Sequence, residues 1–218
     1  MNTEFDWKAW RHAERRARIA AREALEIADR KGRNAAIEQS LRAGFSALGG
    51  ALVGFCWPFR GEPDPRFVIR DWRAAGGRAA LPVVVAPRTP LEFREWWPGV
   101  RMEIGVYDIP FPAETAVVEP EAALVPVNGF DAEGYRLGYG GGYFDRTLAS
   151  LSRSPVCVGL GYEIARLETI HPQAHDIPFD FMVTEAGIHA RIDGELRVVT
   201  ATEADALVRR LRGERGRG

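Results

Sequence analysis

Apolar positions at the start of the chain recur with the period of an α-helix. Residues 7–28 and 34–48 carry apolar side chains about one helical turn apart among charged residues, which predicts two helices separated by a break at 29–33. Asp6 and Asn34 stand where N-caps are expected, because their side chains can accept hydrogen bonds from free backbone amides. A pair of surface helices is therefore expected at the N-terminus.

Beyond residue 50, short apolar runs alternate with more polar segments. Runs that are apolar at nearly every position are typical of strands buried on both faces of a parallel sheet. The predicted buried strands are 51–57, 80–86, 122–127, 156–162 and 180–184. Helices are predicted between them at 66–75 and 143–151, and the alternating segment 91–97 is predicted as a further strand. This order predicts a three-layer α/β/α domain with a mostly parallel, Rossmann-like sheet.

The C-terminal segment has a different pattern. Residues 187–200 favour a hairpin with Asp193-Gly194 as its turn, and 203–212 favour a short helix. We therefore expect one α/β domain over residues 1–200, followed by a helix and an arginine-rich tail over 201–218. The tail is expected to be solvated.

Composition and charge narrow the class of protein. The chain has 218 residues, of which 46% are hydrophobic, and its net charge is -1. These values suit one globular domain and exclude collagen-like and disordered chains. A near-neutral chain gives no basic footprint for nucleic acid. The sequence shows neither a secretory signal nor an apolar stretch long enough to span a membrane, so we expect a cytoplasmic protein with no membrane partner and, by default, a monomer.

Glycine is concentrated in one segment. Six of the 23 glycines lie between Gly129 and Gly142, between a predicted buried strand and a predicted helix. Glycines and a helix N-terminus at the end of a parallel strand favour a phosphate-binding loop, although a structural turn is the alternative. The two common nucleotide motifs do not fit. A Walker A loop needs a lysine and none follows Lys31, and the dinucleotide fingerprint needs glycine where Tyr143 stands.

The glycine-rich segment resembles the signature of a known family. Residues 124–146 read LVPVNGFDAEGYRLGYGGGYFDR, which is similar to the signature of 5-formyltetrahydrofolate cyclo-ligases, also called 5,10-methenyltetrahydrofolate synthetases. A second block, VGLGY at 158–162 and HDIPFDFMVTE at 175–185, resembles the family's closing motif. With weaker agreement around Glu62-Pro-Asp64 and Leu81-Pro82, the resemblance extends from about residue 8 to residue 188.

The resemblance implies an ATP-dependent ligase. Members of the family convert 5-formyltetrahydrofolate and ATP to 5,10-methenyltetrahydrofolate, ADP and phosphate, with Mg²⁺. The formyl oxygen is phosphorylated, and N10 of the folate then attacks the same carbon. No nucleophile from the enzyme is required, so catalysis consists of positioning the two substrates and neutralising phosphate charge.

The resemblance also implies roles for individual residues. Tyr143, near the formyl group, and Arg136, at the phosphates, would be catalytic. The predicted ATP contacts are Lys8, Arg11, Arg136, Leu137, Gly138, Gly140, Gly141, Gly142, Phe144 and Asp180. The predicted folate contacts are Trp57, Glu62, Asp64, Tyr139 and Tyr143. Mg²⁺ would be held by Asp145 and Asp176, since magnesium takes few carboxylates and completes its shell with water and phosphate.

The sequence departs from the family pattern at several of these positions. Lys8 stands three residues before Arg11, whereas the family spacing is four. Tyr139 and Gly141 stand where some members carry arginine and lysine, and Phe144 stands where tyrosine is usual. A loop with fewer positive charges makes arginines from elsewhere and magnesium more important for binding phosphate.

Other interpretations of the same residues remain open. Arg136 fits a surface arginine, Asp145 fits a cap of the helix that follows it, and Trp57 fits core packing. At the level of function, the alternatives are a non-catalytic folate- or nucleotide-binding regulator of the same family, and a sugar-phosphate isomerase that would need no ATP.

Overall fold

The structure, a computed structural model, describes residues 5–216. Its helices are α1 (Trp7–Glu23), α2 (Ile27–Gly44), α3 (Arg66–Ala74), α4 (Tyr143–Ser150) and α5 (Ala201–Arg215). Its strands are β1 (Leu52–Phe55), β2 (Arg78–Val83), β3 (Glu92–Trp96), β4 (Met102–Ile104), β5 (Pro110–Pro112), β6 (Val117–Val118), β7 (Ala122–Pro126), β8 (Gly129–Phe130), β9 (Arg136–Leu137), β10 (Val156–Leu160), β11 (Phe181–Thr184), β12 (Gly187–Ile192) and β13 (Glu195–Val199).

One sheet forms the centre of the molecule. Its order is β13-β12-β11-β10-β7-β1-β2-β3-β6. The five central strands from β11 to β2 run parallel, whereas each of the two strands at either edge pairs antiparallel with its inner neighbour. Every residue of β1, β10 and β11 is buried, which is why these strands form continuous apolar runs in the sequence. The predicted α/β fold with a mostly parallel sheet is confirmed.

Helices cover both faces of this sheet. α2, α3 and α5 contribute Leu41, Ile69 and Val208 to the larger hydrophobic cluster on one face. α4 contributes Leu148 to the cluster on the other face, where Phe179 also packs. No helix within residues 5–216 is both long and apolar enough to cross a membrane.

The strand order reverses at the middle of the sheet. From β1 the chain moves outward to β2, whereas from β7 it moves in the opposite direction to β10 and β11. At such a reversal, the loops at the carboxyl ends of the strands open a crevice in which open α/β sheets bind ligands. The loops that enclose it are 56–65, after β1, and 127–142, after β7.

The N-terminal helices differ from the prediction in their boundary. Asp6 caps α1 as expected, since its side chain accepts from the amides of Lys8 and Ala9. The break lies at 24–26, however, and α2 continues through Gly32 and Asn34. A glycine inside a helix costs only about 1 kcal/mol, and no atom lies within 4 Å of a Cβ built on Gly32. Asn34 does not cap α2, because its Oδ1 accepts from the Asp64 amide at 2.7 Å.

The C-terminal segment is attached to the core. The predicted hairpin is confirmed as β12–β13, with positive φ at both turn residues. α5 begins with a Thr200–Glu203 capping box and buries Ala204 and Val208. The expectation of a solvated tail is wrong for two of its arginines, because Arg212 binds Glu121 and Arg215 binds Asp180.

Candidate active site

The glycine loop is exposed at the carboxyl end of β7. Asp131 holds the β8–β9 hairpin in place, since its carboxylate accepts from the amides of Tyr135 and Ile170. Gly140 and Gly142 adopt φ of +90° and +63°, and Gly142 is the N-cap of α4. Glycine adopts such angles without a steric penalty, because it has no Cβ. The start of α4, where helix amides lack side-chain caps, therefore follows directly on the exposed glycines, as in a phosphate-binding loop.

Arg15 lies over this loop, and sequence reasoning missed it. Its Nε donates to the Gly138 carbonyl at 2.8 Å, and its guanidinium lies 3.3 Å from the position of a Cβ on Gly140. Burial, together with the charge of Arg11, lowers its pKa. Within residues 5–216, no carboxylate forms an ion pair with Arg15. A guanidinium in this state favours the binding of an anion.

Arg11 and Asp176 bind each other. Arg11 Nη2 lies 2.5 Å from Asp176 Oδ2, and its Nε donates to the Ile170 carbonyl at 2.9 Å. Burial opposes ionisation of Asp176, but the hydrogen bonds from Arg11 and the Gln173 amide, together with the charges of Arg11 and His175, outweigh it and lower the pKa of the carboxyl. The contact of Arg11 with ATP stays a prediction; in this structure its guanidinium is buried and bound by protein partners.

Arg136 and Asp145 form a second pair beside the first. Arg136 is buried; its Nη2 donates to Asp145 Oδ1 at 2.9 Å, and its guanidinium lies 4.5 Å from the centre of the Phe179 ring. Asp145 Oδ1 also accepts from the Ile177 amide at 3.2 Å. Neither structural alternative fits these contacts, since Arg136 is not a surface residue and Asp145 does not cap α4. A direct phosphate contact by Arg136 stays a prediction; in this structure its guanidinium contacts Asp145.

The two predicted magnesium ligands differ in their fit to a metal ion. Asp145 Oδ2 accepts no hydrogen bond from the described part of the chain, and its side chain is 22% exposed. Both oxygens of Asp176 are bound by Arg11, and its side chain is 9% exposed. Residues 5–216 contain no cluster of three or more metal-ligating side chains. Asp145 therefore fits a magnesium ion that takes its other ligands from water and phosphate, whereas Asp176 does not.

Glu62, Tyr139 and Arg22 join the two loops of the crevice. Glu62 Oε1 accepts from the Tyr139 hydroxyl at 2.6 Å, and that hydroxyl accepts from Arg22 Nη2 at 3.0 Å. Arg22 Nη1 also donates to Asn128 Oδ1 at 2.9 Å. Burial raises the pKa of Glu62, and burial together with the neighbouring Glu62 carboxylate raises the pKa of Tyr139. The predicted folate contacts Glu62 and Tyr139 are thus brought together, by an arginine that no sequence motif singled out.

The remaining predicted folate contacts, Asp64, Trp57 and Tyr143, form no hydrogen bond with this network in the described part of the chain. Asp64 binds Arg66 at 2.7 Å and, like Glu62, lines a cavity of about 450 Å³. Trp57 lies under the Arg66 guanidinium, 4.6 Å from it, and packs against Trp96 as the core-packing alternative supposes. Tyr143 is half-buried at the first turn of α4, beside the glycine loop.

Several predicted ATP contacts lie elsewhere or are buried. Lys8 is exposed on α1, where its Nζ lies 5.4 Å from the centre of the Trp7 ring. Asp180 lies at the amino end of β11, where it is bound by Arg215 at 2.6 Å and by the Cys157 amide at 2.8 Å. The side chains of Leu137 and Phe144 pack in hydrophobic contacts. Within residues 5–216 none of these four side chains forms a hydrogen bond with Gly138, Gly140 or Gly141, and their contacts with ATP stay predictions.

The fold and this site define a class of protein. An open, mostly parallel sheet carries an exposed glycine loop and, at the point where its strand order reverses, an arginine that forms no ion pair with a carboxylate of the described chain. Such an arrangement is typical of α/β proteins that bind an anionic ligand at the carboxyl ends of their strands.

Comparisons with known proteins identify the family. A sequence model of the 5-formyltetrahydrofolate cyclo-ligase family matches residues 8–185. The chain is 29% identical to the cyclo-ligase of Mycolicibacterium smegmatis, over 67% of this chain and 80% of that protein, and 29% identical to the cyclo-ligase of Haemophilus influenzae, over 60% and 74%. It is similar in structure to the 5,10-methenyltetrahydrofolate synthetase of Aquifex aeolicus, with a TM-score of 0.73, 26% identity, and coverage of 87% of this chain and 96% of the other.

The chain belongs to the 5-formyltetrahydrofolate cyclo-ligase family. The family resemblance of the glycine-rich segment is confirmed, and so is the prediction that the protein is an enzyme.

Proposed function

We propose that the protein converts 5-formyltetrahydrofolate and ATP to 5,10-methenyltetrahydrofolate, ADP and phosphate. The observation that carries this proposal is the contact between the loops of the crevice, in which Tyr139 of the glycine loop donates to Glu62 of the opposite loop at 2.6 Å. A ligand of the glycine loop and a ligand of Glu62 would lie side by side. A reaction between a phosphate donor and a folate requires this proximity.

The formyl oxygen is a poor leaving group, and the reaction therefore needs it to carry a phosphoryl group. The bond between the γ-phosphorus and the ADP oxygen breaks as the formyl oxygen takes the phosphoryl group. N10 then adds to the formyl carbon and loses its proton, and the carbon–oxygen bond breaks to release phosphate. The transferred group carries negative charge throughout, so positive charge and amide donors held in place beside it lower the barrier.

Each group at the site has a part in this scheme. The amides at Gly140–Gly142 and the Arg15 guanidinium bind the phosphates. Each Glu62 oxygen accepts one hydrogen bond within the protein, from Tyr139 and from the Phe59 amide, and its remaining lone pair accepts from an N–H group of the pterin ring. Asp145 Oδ2 would hold Mg²⁺, which would neutralise phosphate charge. Arg136 is a positioning residue, since it fixes the Asp145 carboxylate from the opposite side. Tyr143 remains the proposed neighbour of the formyl group.

The test is an absorbance assay. Purified protein is mixed with 5-formyltetrahydrofolate, ATP and Mg²⁺, and the near-ultraviolet absorbance of the methenyl product is followed. We expect a signal that requires ATP. Tight folate binding without a signal would support the non-catalytic regulator instead, an alternative favoured by the lack of a lysine or arginine at Tyr139 and Gly141. A protein that neither binds folate nor turns it over refutes both.

A further inference from the structure

A cavity of about 450 Å³ lies between α2 and the loop that follows β1. Ile27, Pro58 and Phe67 give it apolar walls, and Glu62 links it to the crevice through its bond with Tyr139. Tyr162, two residues beyond the end of β10, also lines it. The cavity has the size and the mixture of apolar walls and few polar groups that small-molecule sites have.

Tyr162, one of the residues that line this cavity, carries an unexplained hydroxyl. Tyr162 is 2% exposed, and its hydroxyl has no hydrogen-bond partner within residues 5–216. Burial raises the pKa of Tyr162 to about 12, so the hydroxyl keeps its proton at neutral pH and can donate it. Buried polar groups in proteins are nearly always satisfied. An acceptor that enters the cavity would satisfy this one.

Two of the acidic groups that line the cavity have ion-pair partners, whereas its basic groups have none among the described residues. Asp64 is bound by Arg66, and Glu38 by Arg42. Arg30 and Lys31 also line the cavity, and no carboxylate among the described residues forms an ion pair with either of them. The cavity therefore favours a ligand that brings a hydrogen-bond acceptor to Tyr162 and an anionic group to Arg30 and Lys31.

We propose that Tyr162 is a specificity-determining residue of the substrate site, where its hydroxyl donates a hydrogen bond to a carbonyl oxygen of the folate. The inference rests on the proposed function, because it adds a residue to the same site. A pterin ring carries N–H donors beside a carbonyl acceptor, and Glu62 with Tyr162 supplies the complementary acceptor and donor. The glutamate carboxylates of the folate would extend towards Arg30 and Lys31.

Replacement of Tyr162 by phenylalanine tests this assignment. Tyr162→Phe keeps the ring and removes only the hydroxyl, which leaves the substrate carbonyl unpaired. We expect the Kd for 5-formyltetrahydrofolate, measured without ATP by quenching of tryptophan fluorescence, to rise roughly tenfold. Under turnover, KM rises by a similar factor while kcat stays within about twofold of the wild-type value.

A second measurement separates recognition from a structural role. Because the hydroxyl has no protein partner, its removal breaks no protein hydrogen bond, and the melting temperature of the free Tyr162→Phe protein should be unchanged or higher. Tyr135→Phe is the matched control, since it removes a hydroxyl at the β8–β9 turn outside the cavity. It should change neither the Kd nor the melting temperature.

The outcomes distinguish this inference from the function on which it rests. An unchanged Kd in Tyr162→Phe, with a wild-type protein that binds the folate, overturns the inference alone, because water would then satisfy the hydroxyl. A lower melting temperature with an unchanged Kd overturns it in favour of a structural role. A wild-type protein that binds no folate refutes the proposed function itself, before any variant is compared.

Discussion

The contact between Tyr139 and Glu62 can be tested by removing one oxygen atom. In Tyr139→Phe, Glu62 Oε1 loses a donor at 2.6 Å and Arg22 Nη2 loses an acceptor at 3.0 Å. A hydrogen bond to a charged group contributes about 1.5–3 kcal/mol. Arg22 and Glu62 lie 3.9 Å apart and can recover part of this by pairing directly. We therefore expect a loss of about 1–2 kcal/mol in the free energy of unfolding, or about 3–6 °C in melting temperature for a protein of this size.

The pH dependence of this loss follows from the charge of Glu62. Burial raises the pKa of Glu62, whereas the Tyr139 hydroxyl lowers it because the hydroxyl donates to the ionised form. The bond is therefore strongest above the folded-state pKa of Glu62, and its contribution to stability is lost as the pH falls through that pKa. The deficit of Tyr139→Phe relative to the wild type should be largest near pH 8 and should shrink towards pH 4.5.

Urea unfolding followed by tryptophan fluorescence, across that pH range, measures the deficit. Tyr135→Phe again serves as the control and should unfold like the wild type at every pH. A Tyr139→Phe protein as stable as the wild type at pH 8 would refute the reasoning. So would a deficit that does not change with pH, because Glu62 would then not be the group that the hydroxyl stabilises.

Three further substitutions separate binding from stability. Arg15→Met should raise the KM for ATP about tenfold and leave the melting temperature within about 2 °C of the wild-type value. The control Arg18→Met, on the same helix, should leave the KM unchanged. An unaltered KM in Arg15→Met contradicts the phosphate contact. Asp145→Asn should lower kcat at least about tenfold and change the melting temperature little. If the loss of activity is matched by a loss of folded protein, Asp145 is a structural partner of Arg136 instead. Asp180→Asn should cost about 1 kcal/mol of stability, read as a lower melting temperature, with no change in the KM for ATP; a raised KM would restore the predicted nucleotide contact.

Most of the fold could be predicted because burial leaves a direct mark on the sequence. The runs at 122–127 and 156–162 are apolar throughout, since β7 and β10 are covered on both faces. The boundary between α1 and α2 leaves no such mark. Residues 24–26 contain neither glycine nor proline, and Gly32, which resembles a break, lies inside a helix held by the packing of Ile37 and Leu41.

The site could be predicted only where it is local in the chain. The glycine loop is one continuous segment, so its composition indicates its conformation. The partners of the α1 arginines are not local, because Arg15 binds a carbonyl 123 residues away and Arg22 a hydroxyl 117 residues away. The sequence predicts that Arg11 contacts ATP and that Asp176 contacts Mg²⁺. Only the folded structure shows that the two side chains form an ion pair with each other.

The position of α1 has a consequence for the geometry of the reaction. Arg15 reaches the glycine loop and Arg22 reaches the Tyr139–Glu62 contact, so one helix touches both sides of the crevice. Seven residues of helix span about 10 Å. The rigid helix therefore sets the distance between the glycine loop and the Tyr139–Glu62 contact. The glycines, which adapt to the phosphates, do not set it. A single inserted residue between the two arginines would turn one of them by about 100° and uncouple the two halves of the site.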